Sequence, residues 1–85
     1  MPRVLTMQRA TVTVSERAGY FARLKEKERH YVAANCRFWV FEESALLGAF
    51  VEFVEADDVE TLSAAHASAP ERPRDPKRIY SQVEI

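Results

Sequence analysis

The chain has very few cysteines and glycines, the residues on which disulfide-linked, metal-binding and phosphate-binding proteins depend. Its 85 residues include a single cysteine, Cys36, and only two glycines. One cysteine can form neither an internal disulfide nor a cysteine-based metal cluster, so we expect no such site and a reducing, cytoplasmic location. Two isolated glycines, Gly19 and Gly48, cannot build a glycine-rich phosphate loop.

Long apolar runs and an excess of one charge are also missing. The longest mainly apolar stretch without a charge, Ser44–Val51, is far too short to cross a membrane, and residues 1–11 lack the apolar segment of a secretory signal. Twelve Lys and Arg against thirteen Asp and Glu leave a net charge of −1, which provides no basic field for nucleic acid. We therefore expect neither a membrane nor a nucleic-acid partner.

The length allows one domain, residues 1–85, and makes its core marginal. Hydrophobic residues form 47% of the chain and charged residues 29%, which are ordinary values for a globular protein. A domain this small buries only about 60% of the surface that its unfolded chain exposes. We therefore expect that the chain could gain stability by associating with a second copy.

Alternation and helical periodicity place four strands and two helices along the chain. The predicted strands are Val4–Val14, Cys36–Glu42, Ala49–Glu55 and Ile79–Ile85; the predicted helices start at Ser15 and Asp57 and end near Ala34 and Pro70. Asp57 and Glu60 suggest a capping box for the second helix. The order βαββαβ predicts an α+β, ferredoxin-like fold, with a four-stranded antiparallel sheet and both helices on one face.

The first helix has an imperfect apolar stripe. Phe21, Leu24 and Tyr31 lie near one line of a helical period, with Tyr20 beside them. Six polar residues, 25–30, interrupt this stripe. Lys27 or Glu28 must therefore lie at the edge of the core, and we expect its stem to be buried and its charge to reach water.

Sorting the strand residues by parity separates an apolar face from a mixed face. The apolar face, which we expect the helices to cover, holds Ala10, Val12, Val14, Cys36, Phe38, Val40, Ala49, Val51, Phe53, Ile79, Val83 and Ile85. The mixed face is centred on Arg37, Trp39, Phe41, Phe50, Glu52 and Val54. Aromatic residues and arginine among a few polar groups are typical of protein interfaces. We predict a homodimer that forms through these six residues, face to face.

This interface depends on the register of the hairpin between the second and third strands. A four-residue loop places Trp39 opposite Glu52 and Phe41 opposite Phe50, with Arg37 diagonal to Glu52. An Arg37–Glu52 pair would then fix the register of the dimer or orient a polar ligand. A five-residue loop within residues 43–48 would shift the register by one and undo this pairing.

His66 is the main candidate for chemistry, since it lies on the apolar face of the second helix. An imidazole that titrates near neutral pH can move a proton or bind a phenolic or enolic ligand; alternatively, His66 is a core histidine bound to a carbonyl or water. Tyr20 and Tyr31 are expected to face the same space, with Trp39 near its edge, as ligand-binding residues or as core. His66 and His30 lack nearby ligands in the sequence, so no metal site is predicted.

The stretch Gly48–Pro70, GAFVEFVEADDVETLSAAHASAP, resembles a known group of proteins. Its strand ends in Glu55, an acidic helix cap follows, and the helix carries an Ala-His-Ala-Ser run. With the βαββαβ order, this is similar to the dimeric α+β barrel superfamily, in particular to antibiotic-biosynthesis-monooxygenase-like and YCII-like domains. The resemblance implies pairing through the sheets, a histidine at the position of His66, and chemistry without a cofactor in an enclosed apolar pocket.

Two functions of different class follow from these patterns. In the first, the homodimer binds a small aromatic or enolic molecule and, if it is an enzyme, is a cofactor-free, monooxygenase-like one with His66 as the catalytic residue. In the second, it is a non-catalytic module that serves association only. A cavity larger than a few waters beside His66 would favour the first function, and solid packing there the second. The basic loop residues Arg72, Arg74, Lys77 and Arg78 are expected to be solvated or to contact an acidic ligand weakly.

Overall fold

A computed structural model describes residues 2–85, and its elements follow the predicted order. They are β1 Val4–Thr11, α1 Arg17–Ala33, β2 Arg37–Glu42, β3 Ala49–Ala56, α2 Val59–Ala67 and β4 Tyr80–Ser81. The four strands form one antiparallel sheet in the order β2-β3-β1-β4, and both helices pack on the same face of it. The predicted α+β, ferredoxin-like fold class is confirmed.

The ends of several elements differ from the prediction. A short 3-10 turn, Val14–Glu16, precedes α1, and Thr13 rather than Ser15 starts it: the Glu16 carboxylate accepts hydrogen bonds from the Thr13 backbone N–H and hydroxyl. Helix α2 is capped by Asp58, whose carboxylate accepts from the backbone N–H of Thr61 at 2.7 Å, one residue later than predicted. Cap positions shift this easily because neighbouring polar residues compete for the same backbone groups.

The last strand is much shorter than the prediction of Ile79–Ile85. Only Tyr80 and Ser81 pair with β1, and Gln82 adds one backbone hydrogen bond to Arg3. Residues 83–85 are exposed and do not pair with the sheet. Ile79 packs against the core as predicted, whereas the prediction that Val83 and Ile85 are covered by the helices is wrong.

Helix α1 ends in a left-handed residue. Asn35 has φ 64°, and its N–H donates to the carbonyl of Val32, while the N–H of Cys36 donates to the carbonyl of Tyr31 at 2.8 Å. This is the Schellman arrangement, which satisfies carbonyls at the end of a helix. The cap turns the chain directly into β2.

The hairpin between β2 and β3 has a five-residue loop. The N–H of Glu43 donates to the carbonyl of Ala49 at 2.9 Å, so these two residues are opposite each other and residues 44–48 form the loop. Trp39 is therefore opposite Phe53, and Phe41 is opposite Val51. The predicted four-residue loop is wrong by one residue.

This shift exchanges the two faces of β3, since successive side chains of a strand point in opposite directions. Phe50, Glu52 and Val54 are at most 6% exposed and lie beneath the helices, so their predicted place on the open face is wrong. The predicted Arg37–Glu52 pair is also wrong. Arg37 bonds to Glu55 across the hairpin and to Asp57 at 3.0 Å.

The core lies between the sheet and the helices. Helix α1 contributes a buried stripe at Tyr20, Leu24, Lys27 and Tyr31, a spacing of four, three and four residues that keeps one face toward the sheet. Helix α2 contributes its fully buried Leu62. Neither these helices nor any other within residues 2–85 combines the length and apolarity of a membrane span.

Gly48 fixes the hairpin loop against β1. Its φ is +91°, its carbonyl accepts from the N–H of Val12 at 2.8 Å, and its N–H donates to the Glu42 carboxylate at 2.9 Å. A Cβ at this position would lie 2.3 Å from the carbonyl oxygen of Val12. Both the backbone angle and the close approach therefore require glycine.

We predict opposite effects for the two glycine-to-alanine changes. Gly48→Ala should lower the free energy of unfolding by about 2 kcal/mol or more, because the strained angle and the clash add. Gly19→Ala, in the exposed interior of α1 where a Cβ meets only the end of Arg23, should raise it by about 1 kcal/mol. Urea denaturation followed by circular dichroism measures both. Equal effects of the two changes would contradict the role of Gly48.

Candidate functional site

A cluster of buried polar side chains lies between the helices and the sheet. We call it the polar cluster; its members are Thr6, Tyr20, Lys27, Tyr31, Glu52 and His66, each at most 7% exposed. Within residues 2–85 no buried side-chain nitrogen or oxygen lacks a hydrogen-bond partner. Buried polar groups with complete partners stabilise a particular arrangement, whereas a missing partner costs free energy.

Glu52 holds the first half of the cluster together. Its two carboxylate oxygens accept from Lys27 Nζ at 3.0 Å and from the Tyr20 hydroxyl at 2.7 Å. Lys27 also approaches Glu71 of the loop after α2 at 3.7 Å. Burial, followed by the hydrogen bond to Glu52, raises the pKa of Tyr20 well above its usual value, so the phenol stays protonated and donates.

His66 joins the second half of the cluster. Its Nδ1 is 2.9 Å from the Tyr31 hydroxyl and its Nε2 is 2.7 Å from the Thr6 hydroxyl. A neutral imidazole has one donor and one acceptor, and two hydroxyl groups can satisfy both. Burial, and next the charge of His30, lower the pKa of His66, while burial raises the pKa of Tyr31 to about 12.

Two spaces border His66: a small cavity against the sheet, and an open groove of about 240 Å³ between α2 and the loop at residues 72–77. The cavity between Thr6, Tyr31, Glu52 and His66 has a volume of about 20 Å³, and the loop at residues 71–75 covers one side of it. This volume holds about one water molecule. Because both nitrogens of His66 are already bonded, a ligand would have to displace Thr6 or Tyr31 to reach the imidazole.

The structure brings together three of the predicted site residues and separates the fourth. Tyr20, Tyr31 and His66 all face the interface between helices and sheet, although Tyr20 bonds to Glu52 rather than to His66. Trp39 lies on the opposite face of the sheet and is 44% exposed. The prediction that Trp39 borders this site is therefore wrong, because alternation along β2 directs it away from the helices.

Sequence reasoning missed Lys27 and Glu52 as partners. The signal was present in the spacing of Tyr20, Lys27 and Tyr31, which puts the lysine in the buried stripe of α1. With a five-residue hairpin loop, Glu52 joins the helix-covered face, and a buried carboxylate needs a cation nearby. The lysine head therefore meets Glu52 instead of water.

Helix α1 is tied to α2 by a second histidine. His30 Nε2 donates to the backbone carbonyl of Ala65 at 2.8 Å, one residue before His66. Among residues 2–85, no three His, Cys, Asp or Glu side chains are grouped so that they could hold a metal ion. His30 therefore positions α2 rather than serving as a ligand.

Comparisons with protein-family models, curated proteins and solved structures find no match for this chain. Its function has to be inferred from its own contacts.

We predict strong coupling between Lys27 and Glu52. Lys27→Met leaves the Glu52 carboxylate buried without its cation and should lower the free energy of unfolding by about 3 kcal/mol. The double change Lys27→Met with Glu52→Gln should cost clearly less than the sum of the single changes. Lys25→Met, at an exposed position of the same helix, is the control and should change stability little. Additive effects in urea denaturation would contradict the buried pair.

Protonation of His66 should destabilise the fold. Since its pKa is lowered in the folded state, the unfolded chain binds a proton first, and stability falls as the pH decreases from about 6.5 toward the lowered value. Above that window, the contribution is fully present. His66→Gln should flatten this part of the stability profile, and NMR titration of the imidazole should show the lowered pKa. An unperturbed His66 titration would contradict the assignment.

Proposed function

We propose that the chain works as a homodimer in which two copies pack the open faces of their sheets together. The open face is the side without helices and is formed by Leu5, Met7, Trp39, Phe41, Val51, Phe53 and Tyr80. One observation carries the proposal: Trp39 and Phe41, on the edge strand β2, are 44% and 58% exposed beside Phe53 and Val51 of β3. Contiguous apolar surface on a small domain marks an interaction site.

The charges around the open face suit contact with an identical copy. At one end, Arg37 is bonded to Glu55 and Asp57, and Glu55 also meets Arg3 at 3.3 Å. These charges compensate one another within the chain. The row of Trp39, Phe53 and Met7 is uncharged, and the row of Phe41 and Val51 ends in the exposed Arg9. A two-fold pairing centred on the first row therefore brings apolar side chains together without burying an unpaired acid.

The shape of the chain also favours this pairing. Its smallest dimension is 18 Å, which corresponds to one layer of helices on one sheet. The longer strands extend over about 27 Å, and neighbouring strands are about 4.8 Å apart. The open face of the sheet is therefore broad compared with the 18 Å thickness of the chain. A second sheet would cover it and complete a core between the two copies, as in the dimeric α+β barrel superfamily that the sequence resembles.

Of the two functions predicted from the sequence, association without catalysis at His66 is the better supported. The small cavity against the sheet has room for about one water, and the 240 Å³ groove on the other side of His66 is open to solvent. Both imidazole nitrogens have partners, so an aromatic or enolic substrate in that groove would find no free nitrogen to bind. A cofactor-free, monooxygenase-like activity remains a prediction.

We predict that Phe41→Lys weakens association while Val32→Lys does not. The two positions are 58% and 59% exposed, but Phe41 lies on the open face and Val32 on the outer side of α1. A lysine at Phe41 would place two like charges in a desolvated interface and should raise the dimer dissociation constant about tenfold or more. Analytical ultracentrifugation measures the constant for each variant.

The wild type should sediment at twice the 9.7 kDa mass of one chain. Trp39 is the only tryptophan, so its emission should shift to the blue as the dimer forms with increasing concentration. A monomer at all micromolar concentrations, or equal effects of the two lysine variants, would overturn the proposal.

A further inference from the structure

A second and much larger space lies on the helix side of the sheet. A groove of about 520 Å³ runs between the second half of β1, the first half of α1 and the loop after α2. This volume is within the range of small-molecule sites, which are roughly 300 to 1,000 Å³. Tyr20, Lys27 and Glu52 line part of it, and Lys27 and Glu52 also line the small cavity at His66.

The groove is rich in cations although the whole chain is slightly acidic. Four basic side chains line it, against three carboxylates: Arg23, Lys27, Arg72 and Arg74, with Glu16, Glu52 and Glu71. Arg9 borders the groove at the edge of β1, but its side chain points to the open face, as that of Val51 opposite it does. The net charge of the chain is −1. The positive excess is therefore local, and low-dielectric walls strengthen the field inside such a groove.

The carboxylates of the groove are already engaged within the chain. Glu52 is bonded to Lys27 and Tyr20, and Glu16 accepts from Thr13. Glu71 lies 3.7 Å from Lys27 and 4.0 Å from Arg23. Among residues 2–85, the guanidinium groups of Arg72 and Arg74 have no acidic partner.

The loop that forms one wall is held in place before any ligand binds. The backbone N–H of Arg74 donates to the Gln8 side chain at 3.2 Å, and its guanidinium donates to the carbonyl of Arg9. Three prolines, Pro70, Pro73 and Pro76, restrict the backbone of this loop. A wall ordered in advance lowers the entropy that binding would otherwise cost.

We propose that this groove binds a small organic anion with two or more phosphate or carboxylate groups. Guanidinium groups bind both kinds of oxyanion through paired hydrogen bonds, and several arginines on separate elements suit a ligand with separated charges. The arginines on α1 and on the loop lie on the opposite side of the sheet from Trp39 and Phe41, so the proposed dimer would leave them accessible.

Isothermal titration calorimetry with inorganic pyrophosphate and with citrate, at constant ionic strength, tests the proposal. Saturable binding of wild-type protein is expected for at least one probe, and NMR shift changes should centre on Tyr20, Arg23 and Lys27. The double variant Arg23→Gln with Arg72→Gln removes one cation from α1 and one from the loop. It should weaken binding about tenfold or more, whereas circular dichroism should show an unchanged fold.

The matched control is Arg29→Gln with Arg78→Gln. These residues are exposed, lie on α1 and on the connection after α2, and do not line the groove. Their double variant makes the same change in net charge and should bind as the wild type does. Binding of pyrophosphate alone would assign a phosphate ligand, and binding of citrate alone a carboxylate ligand. Failure of both probes, or equal weakening by both double variants, would overturn the proposal.

Discussion

The register of the β2–β3 hairpin decides what lies on each side of the sheet. With five residues in the loop, Glu52 lies beneath the helices and Phe53 lies on the open face. The polar cluster needs Glu52 where Tyr20 and Lys27 can reach it, and the open face needs Phe53 beside Trp39. Gly48 maintains this register, since its backbone angle and its contact with Val12 exclude a larger residue.

The same register separates the surface proposed for association from the groove proposed for ligand binding. One side of the sheet presents uncharged aromatic residues such as Trp39 and Phe41, which favour contact with a second copy. The other side places a charged groove beside α1, with Lys27 between Glu52 and Glu71. The small cavity at His66 belongs to neither activity, since its hydrogen bonds already satisfy the imidazole and stabilise the packing of α2 against β1.

Local sequence patterns were sufficient for the fold class, because periodicity reports which residues are buried in each helix and strand. The buried tyrosines of α1, Tyr20 and Tyr31, were predictable in this way. The register could not be predicted from these patterns, because the sequence at residues 43–48 is compatible with loops of four and of five residues. A tertiary contact, that of Gly48 with Val12, distinguishes the two loops. Because the predicted register was wrong, the predicted partners of Glu52 and Arg37 were wrong as well. The same error concealed the burial of the Lys27 head against Glu52.

The most direct test of this account is the interstrand NOE pattern of the β2–β3 hairpin in solution NMR. We expect interstrand backbone NOEs that pair Phe41 with Val51 and Val40 with Glu52. Contacts that pair Phe41 with Phe50 and Trp39 with Glu52 would contradict it. That result would return Glu52 to the open face and leave Lys27 without its partner.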